Sequence, residues 1–186
     1  MCSHYEGATA DQLVRAFGVD TPEQGRLDLW SAYLGRFARA AGAPEEQDGN
    51  NPRLEILKGV FGLIAGWSKD TQIARRTYNT RSETAAVKPS FRIVWRKAQH
   101  CIISAQAIYE PGWRSGQAIS TRATWADYEL MGIDGLWERW SDPTRMEVFG
   151  YMMLTINAGN HKLMRNFHRA EDEKRMVVIL SWGAIC

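Results

Sequence analysis

The chain of 186 residues has few cysteines, no long apolar run, no internal repeat and no low-complexity tract. No hydrophobic stretch approaches the roughly 20 residues needed to span a bilayer, which excludes a helical membrane protein. No basic segment followed by an apolar core opens the sequence, so no secretory leader is expected. Cys2, Cys101 and Cys186 are odd in number and lack metal-ligand spacing. That argues against a disulfide framework or a zinc site, and for a reducing cytoplasm. A net charge of +2 excludes a uniformly basic nucleic-acid binder.

What is present is a 45% hydrophobic, 24% charged composition, that of one soluble globular domain with a substantial core. The charge is unevenly spread. Arg75, Arg76, Arg81, Lys88, Arg92, Arg96 and Lys97 lie close together with Glu83 the only acid among them, and Tyr78, Phe91 and Trp95 are interleaved. Cations for phosphates and aromatic faces for unstacked bases suit a single strand, although a solvated face has the same pattern.

Local signals give an α+β chain with a mostly antiparallel sheet. Thr9 and Gln12 have capping-box spacing ahead of a helix to Phe17, and Gly18 supplies the stop. Trp30, Tyr33, Leu34 and Phe37 predict a second helix over Leu27 to Ala41, weakened by Gly35. The polar stretch from Gly42 to Arg53 reads as a surface loop. Leu54 to Trp67 reads as a strand bent at Gly59 and Gly62, and Thr71 to Thr77 as one or two helical turns. Ser90 is the expected N-cap of a helix to about Gln99. Cys101 to Tyr109, Ala118 to Thr124, Gly132 to Trp140 and Glu147 to Asn157 read as strands, the last pair punctuated by Asp142-Pro143. His161 to His168 is a short helix or turn, and Met176 to Leu180 a buried strand.

The first residues, Met-Cys-Ser-His, carry the sharpest chemical suggestion. Once Met1 is removed, Cys2 presents a thiol and a free α-amine, with unperturbed pKa values of about 8.5 and about 7.7–8.0. An aldehyde can form an imine with the amine and then close onto sulfur as a thiazolidine. A frayed terminus is the plainer alternative.

Several stretches, in order, resemble the SOS-response-associated peptidase family. They are Met1-Cys2, Phe61 to Trp67 (FGLIAGW), Asn79 to Thr84 (NTRSET) and Lys88 to Arg92 (KPSFR). Cys101 to Glu110 (CIISAQAIYE), Gly135 to Trp140 (GLWERW), Leu154 to Asn157 (LTIN), His168 and Arg175 to Leu180 (RMVVIL) complete the series. The spacing from His168 to Arg175 is most similar to that of phage and proteobacterial members.

The resemblance implies a single domain over 1–186, with a mostly antiparallel, barrel-like sheet flanked by short helices. It also implies covalent capture of abasic sites in single-stranded DNA, protecting the lesion during the SOS response. Cys2 matches the nucleophile, Glu110 a proton carrier, His168 the active-site histidine and Asn79 the asparagine beside the trapped sugar. Partial desolvation among Tyr109, Pro111 and Trp113 would raise the pKa of Glu110. Arg81 and Arg175 match positions that grip phosphates, though either can instead pair with Glu83 or Glu173. Trp67 is a candidate base-stacking residue or a core tryptophan. His4 stands where many members carry an arginine that contacts DNA, and Ala65, Ser104 and Val177 where proline is common. His161 reads as a helix-start or surface residue, and His100 as a helix-end one. In GLWERW, Leu136, Trp137 and Trp140 read as core, with Glu138 and Arg139 solvated or paired.

No metal or organic cofactor is implied. The expected partners are single-stranded DNA containing abasic sites and replication or repair proteins, with the chain acting as a cytoplasmic, bacterial or phage-encoded monomer. Family members usually continue past the RMVVIL-like strand, so the C-terminal part of the family domain is expected to be missing here. The alternatives are a thiol peptidase using Cys2, up to and including one confined to self-processing of the N-terminus, and a truncated remnant that holds single-stranded DNA without chemistry.

Overall fold

The computed structural model describes residues 2–42, 53–113, 115–127, 129–142 and 144–181. The loop expected between Gly42 and Arg53, the proline after Asp142, and Cys186 lie outside these. In chain order the elements are β1 (His4–Gly7), α1 (Ala10–Phe17), β2 (Asp28–Trp30), β3 (Leu34–Ala40) and β4 (Leu54–Phe61). A 3-10 turn (Thr71–Arg76) leads to β5 (Asn79–Arg81), α2 (Ser82–Ala85) and α3 (Arg92–Arg96). Then come β6 (His100–Gly112), β7 (Ile119–Ala123), β8 (Met131–Ser141) and β9 (Glu147–Asn157). A short 3-10 turn (Met164–Asn166) precedes β10 (Arg175–Val177) and β11 (Ile179–Leu180).

Closure comes from β8, which pairs with both β6 and β9. The ring continues from β9 to β4, β3 and back to β6, giving the closed five-strand barrel of an α+β fold. A closed sheet leaves no unpaired edge along the ring. The pairing is antiparallel except where β4 and β5 run parallel to β9. Inside, Tyr5, Phe37, Phe61, Ile103, Tyr151 and Met153 pack together, and the Tyr5 and Tyr151 hydroxyls share a 2.6 Å hydrogen bond. The core thus seats two phenols without leaving either hydroxyl unpaired.

Several expectations hold. Thr9 caps α1 with both halves of the capping box formed, and Gly18 ends it in the left-handed conformation. The β9 strand runs over the expected residues, and Leu136 and Trp140 are buried. Trp137 is only partly buried, and Arg139 pairs with Glu147 at 3.0 Å.

Others are corrected. The helix predicted over Leu27 to Ala41 is absent among the described residues, and β2 and β3 occupy the segment. A Cβ on Gly35 would stand 2.1 Å from the Tyr151 hydroxyl, so the barrel wall takes bare backbone here. Gly35 and Phe37 then face in while Leu34 faces solvent, a strand alternation that overrides the helical spacing. The Leu54 to Trp67 strand stops at Phe61, because Gly62 turns at φ 139°, where an added Cβ would fall 2.1 Å from the Ala74 carbonyl oxygen. Ser90 is not an N-cap; Phe91 precedes a helix that ends at Arg96. The Met176 to Leu180 strand divides at Val178, where the chain leaves β9 for β8.

Candidate functional site

The start of the chain enters the barrel wall beside β6. Tyr5 pairs with Ile108, so the antiparallel register carries Cys2 toward Glu110 and Pro111. Cys2 is fully buried, and its thiol donates to the His4 carbonyl oxygen at 3.2 Å. Desolvation and, after it, the Glu110 charge push this thiol up to about 12. It is therefore held protonated at neutral pH. The Cys2 carbonyl oxygen accepts from Asn79 Nδ2 at 2.6 Å. Asn79 opens β5, which is aligned by its parallel pairing with Met153 on β9. The other amide atom of Asn79, Oδ1, is buried with no hydrogen-bond partner among the described residues.

Near the end of β6, Glu110 is 1% exposed, and its Oε2 lies 3.2 Å from His168 Nε2. His168 comes from the opposite end of the chain, at a left-handed φ of 64°. Its backbone N–H donates to the Pro111 carbonyl at 2.9 Å, and Lys174 Nζ donates to its carbonyl at 3.3 Å. Both contacts over-determine a conformation that a non-glycine residue rarely adopts. Tyr78 completes the surroundings, its hydroxyl pKa raised by partial burial and by the Cys2 and Glu110 charges. The arrangement brings a thiol, a buried carboxyl–imidazole pair and an amide close together, a set of groups able to hold and move a proton beside a nucleophile.

A second group lies at the far end of β5. Arg175 is 4% exposed; it meets Glu83 at 2.8 Å and Glu173 at 3.1 Å, and donates to the Thr155 carbonyl at 2.7 Å. Arg81 meets the same Glu173 at 2.6 Å. Both pairings considered for these arginines are thus formed.

The remaining candidates are scattered. His4 lies between Trp30 and Tyr109, ring centroids 4.0 and 4.1 Å away, with its Nε2 on Asp28. It is a packed residue rather than an open phosphate contact. Trp67 is 58% exposed, its indole N–H reaching the Pro89 carbonyl at 3.5 Å, so it is no core residue. Arg75, Arg76, Lys88, Arg92, Arg96 and Lys97 are exposed and form no ion pair among the described residues. The interleaved aromatics do not join them: Phe91 is buried and Trp95 packs on the same cluster. His161 accepts from the Leu163 and Met164 amides as a turn-start cap. His100 begins β6 rather than ending a helix, and pairs with Asp134 at 3.0 Å.

Sequence reasoning missed the Tyr78 contribution, the His4 stack and the bridging role of Glu173. Tyr78, read in the sequence as one of the aromatics interleaved among the cations, also directly precedes Asn79. The other two need partners remote in sequence. Among the described residues no three metal-binding side chains group together, and no helix is long and apolar enough to cross a membrane.

Residues 1–185 match the family described as SOS response associated peptidase (SRAP). The chain is 34% identical over 139 residues to the abasic site processing protein YoqW of Bacillus subtilis (strain 168), covering 72% of this chain and 56% of that protein. It is 21% identical over 144 residues to the abasic site processing protein HMCES of Rattus norvegicus, covering 61% and 40%. The chain therefore spans about half the length of the curated relatives it matches. A crystal structure of a protein from Bordetella bronchiseptica superposes with a TM-score of 0.84 at 41% identity, covering 98% of this chain and 85% of that one. A second, from Bacteroides thetaiotaomicron, shares the fold at a TM-score of 0.75 and 20% identity, covering 97% and 77%.

Proposed function

This chain belongs to the SOS response associated peptidase family, and from that membership we propose that it captures abasic sites in single-stranded DNA as a thiazolidine on Cys2. The observation that carries the reading is the Glu110–His168 pair, 3.2 Å apart, close to the Cys2 thiol whose backbone Asn79 holds.

Hydrolysis of the Met1–Cys2 bond frees the α-amine. The ring-opened deoxyribose of an abasic site presents an aldehyde at C1′. The amine nitrogen attacks that carbon, and the carbonyl oxygen takes up protons and leaves as water, giving an imine. The thiol then adds across the C=N bond: sulfur bonds to C1′ and the nitrogen gains the proton. One water is released overall. Glu110 and His168 are the proton carriers for the departing oxygen, and Asn79 orients the terminus. A thiol pushed up to about 12 supports amine attack first, since the sulfur is not a free thiolate when the aldehyde arrives.

Arg81 and Arg175 are the proposed phosphate contacts, Trp67 an exposed face for a base, and the cations from Arg75 to Lys97 a wider electrostatic footprint. His4 contributes by fixing β1 rather than by touching DNA. The action belongs in a bacterial cytoplasm, where the adduct shields the lesion from cleavage.

A peptidase that attacks amides through Cys2 needs a thiolate, whereas burial pushes this thiol up, which favours the first reading. Peptide hydrolysis is then restricted to removal of Met1. The test is incubation with matched oligonucleotides, one carrying an abasic site, followed by a denaturing gel. A shifted band is expected only with the abasic strand, and it is lost in Cys2→Ala. Equal crosslinking by Cys2→Ala would sink the mechanism. Salt-sensitive binding with no adduct would favour a DNA-holding remnant.

A further inference from the structure

Arg81, at the end of β5, and Arg175 share one carboxylate, that of Glu173. Glu173 Oε2 lies 2.6 Å from Arg81 Nη2, and Glu173 Oε1 lies 3.1 Å from Arg175 Nη1. Each oxygen thus faces a different guanidinium, the way two non-bridging oxygens of a phosphodiester would. We propose that the Glu173 carboxylate is a resident stand-in for a DNA phosphodiester, and that a strand takes this seat by displacing it. The inference rests on the reading of Arg81 and Arg175 as phosphate contacts and adds the group that competes for them.

The surroundings decide which partner yields. Arg175 is buried and held by further partners, donating to both oxygens of Glu83 at 3.0 and 2.8 Å and to the Thr155 carbonyl at 2.7 Å. It cannot follow a departing carboxylate without losing three hydrogen bonds. The backbone beside Glu173 is also fixed, because the Lys174 carbonyl accepts from Ala158 at 2.8 Å and its ammonium donates to the His168 carbonyl. The Glu173 side chain is different. It is 39% exposed, its partner Arg81 is 47% exposed, and its further contact, from Asn157 Nδ2, is long at 3.5 Å. The side chain is the mobile part of an otherwise fixed seat. Exposed ion pairs of this kind are weak, so a phosphodiester can exchange for one. Arg81 is two residues along β5 from Asn79, about 7 Å at the rise of a strand. A phosphate in the seat would therefore be close to the sugar under attack.

The competitor lowers affinity for every strand, damaged or not. Binding of a short undamaged single-stranded oligonucleotide, read by fluorescence anisotropy at low ionic strength, tests this in the full chain. Glu173→Gln keeps the shape and removes the charge. It should bind about twofold to fivefold more tightly, the span expected for release of an exposed ion pair. The gain should vanish when Arg81→Ala is added. Glu83→Gln, which loosens Arg175 instead, should bind more weakly than wild type. If Glu173→Gln is unchanged or weaker while Arg81→Ala still weakens binding, the stand-in is overturned and the phosphate seat survives. If Arg81→Ala binds as wild type does, the phosphate seat fails, and the stand-in with it.

Discussion

Asn79 donates its side-chain amide to the carbonyl oxygen of Cys2 across 77 positions of sequence, at 2.6 Å. Both residues are buried, so water cannot replace the contact. Asn79→Ala should leave that carbonyl without a donor, lowering stability by about 1–3 kcal/mol and slowing adduct formation about tenfold. Asn79→Asp should be worse, because a carboxylate has no N–H and adds charge next to Glu110. Band intensity against time on a denaturing gel, with the unfolding midpoint measured in parallel, checks both.

The Cys2 thiol makes alkaline stability a readout of its burial. Its folded value is about 12 against an ordinary 9.0. Between those limits the unfolded chain releases this proton and the folded chain keeps it. The contribution is therefore intact below about pH 9 and is lost as pH rises toward 12, at up to about 1.4 kcal/mol per pH unit. Cys101, Tyr5 and Tyr151 are also raised by burial and add to the slope. Cys2→Ser should flatten the fall in stability over this window without abolishing it. Identical slopes in denaturant titrations of the two proteins would mean that the thiol is exposed in solution.

Where the sequence was legible, the signal was local. Thr9, Gln12 and Gly18 fix α1 within one segment, and apolar stretches between turn signals mark β8 and β9. Leu27 to Ala41 misled because the meaning of Gly35 lies in Tyr151, more than a hundred residues away. The site has the same character. Cys2, Asn79, Glu110 and His168 come from separate parts of the chain, and no spacing brings them together. Only the ordered resemblance to a family named them as a group. His4 was read by what stands there in relatives, but Trp30, Tyr109 and Asp28 decide what it does.

Gly35 offers a direct test of that long-range constraint. A methyl group at this position would fall 2.1 Å from the Tyr151 hydroxyl and 3.1 Å from the Tyr5 hydroxyl. Gly35→Ala must push the two phenols apart or move β3 off the barrel, breaking the 2.6 Å hydrogen bond between them. The expected loss is about 2–3 kcal/mol, as for overpacking in a dense core. Gly25→Ala, which has nothing within 4 Å of its added carbon, should be close to neutral in the same unfolding assay.

The acid side of the stability profile reports on Arg175. Its guanidinium holds the Glu83 carboxyl at about 2, against an ordinary 4.5. As pH falls below 4.5 the unfolded chain binds this proton first, so the folded state loses an advantage it holds at neutral pH. The contribution is present above about 4.5 and gone by about 2. The Glu83 side chain is 51% exposed, and screening limits its worth to about 1 kcal/mol or less. Glu83→Gln should therefore be slightly less stable than wild type near neutral pH, and the two curves should converge at the acid end. High salt at neutral pH should shrink the gap as well. A difference that persisted unchanged to the acid limit would mean that the glutamine disturbs packing around Arg175 instead of removing a charge from it.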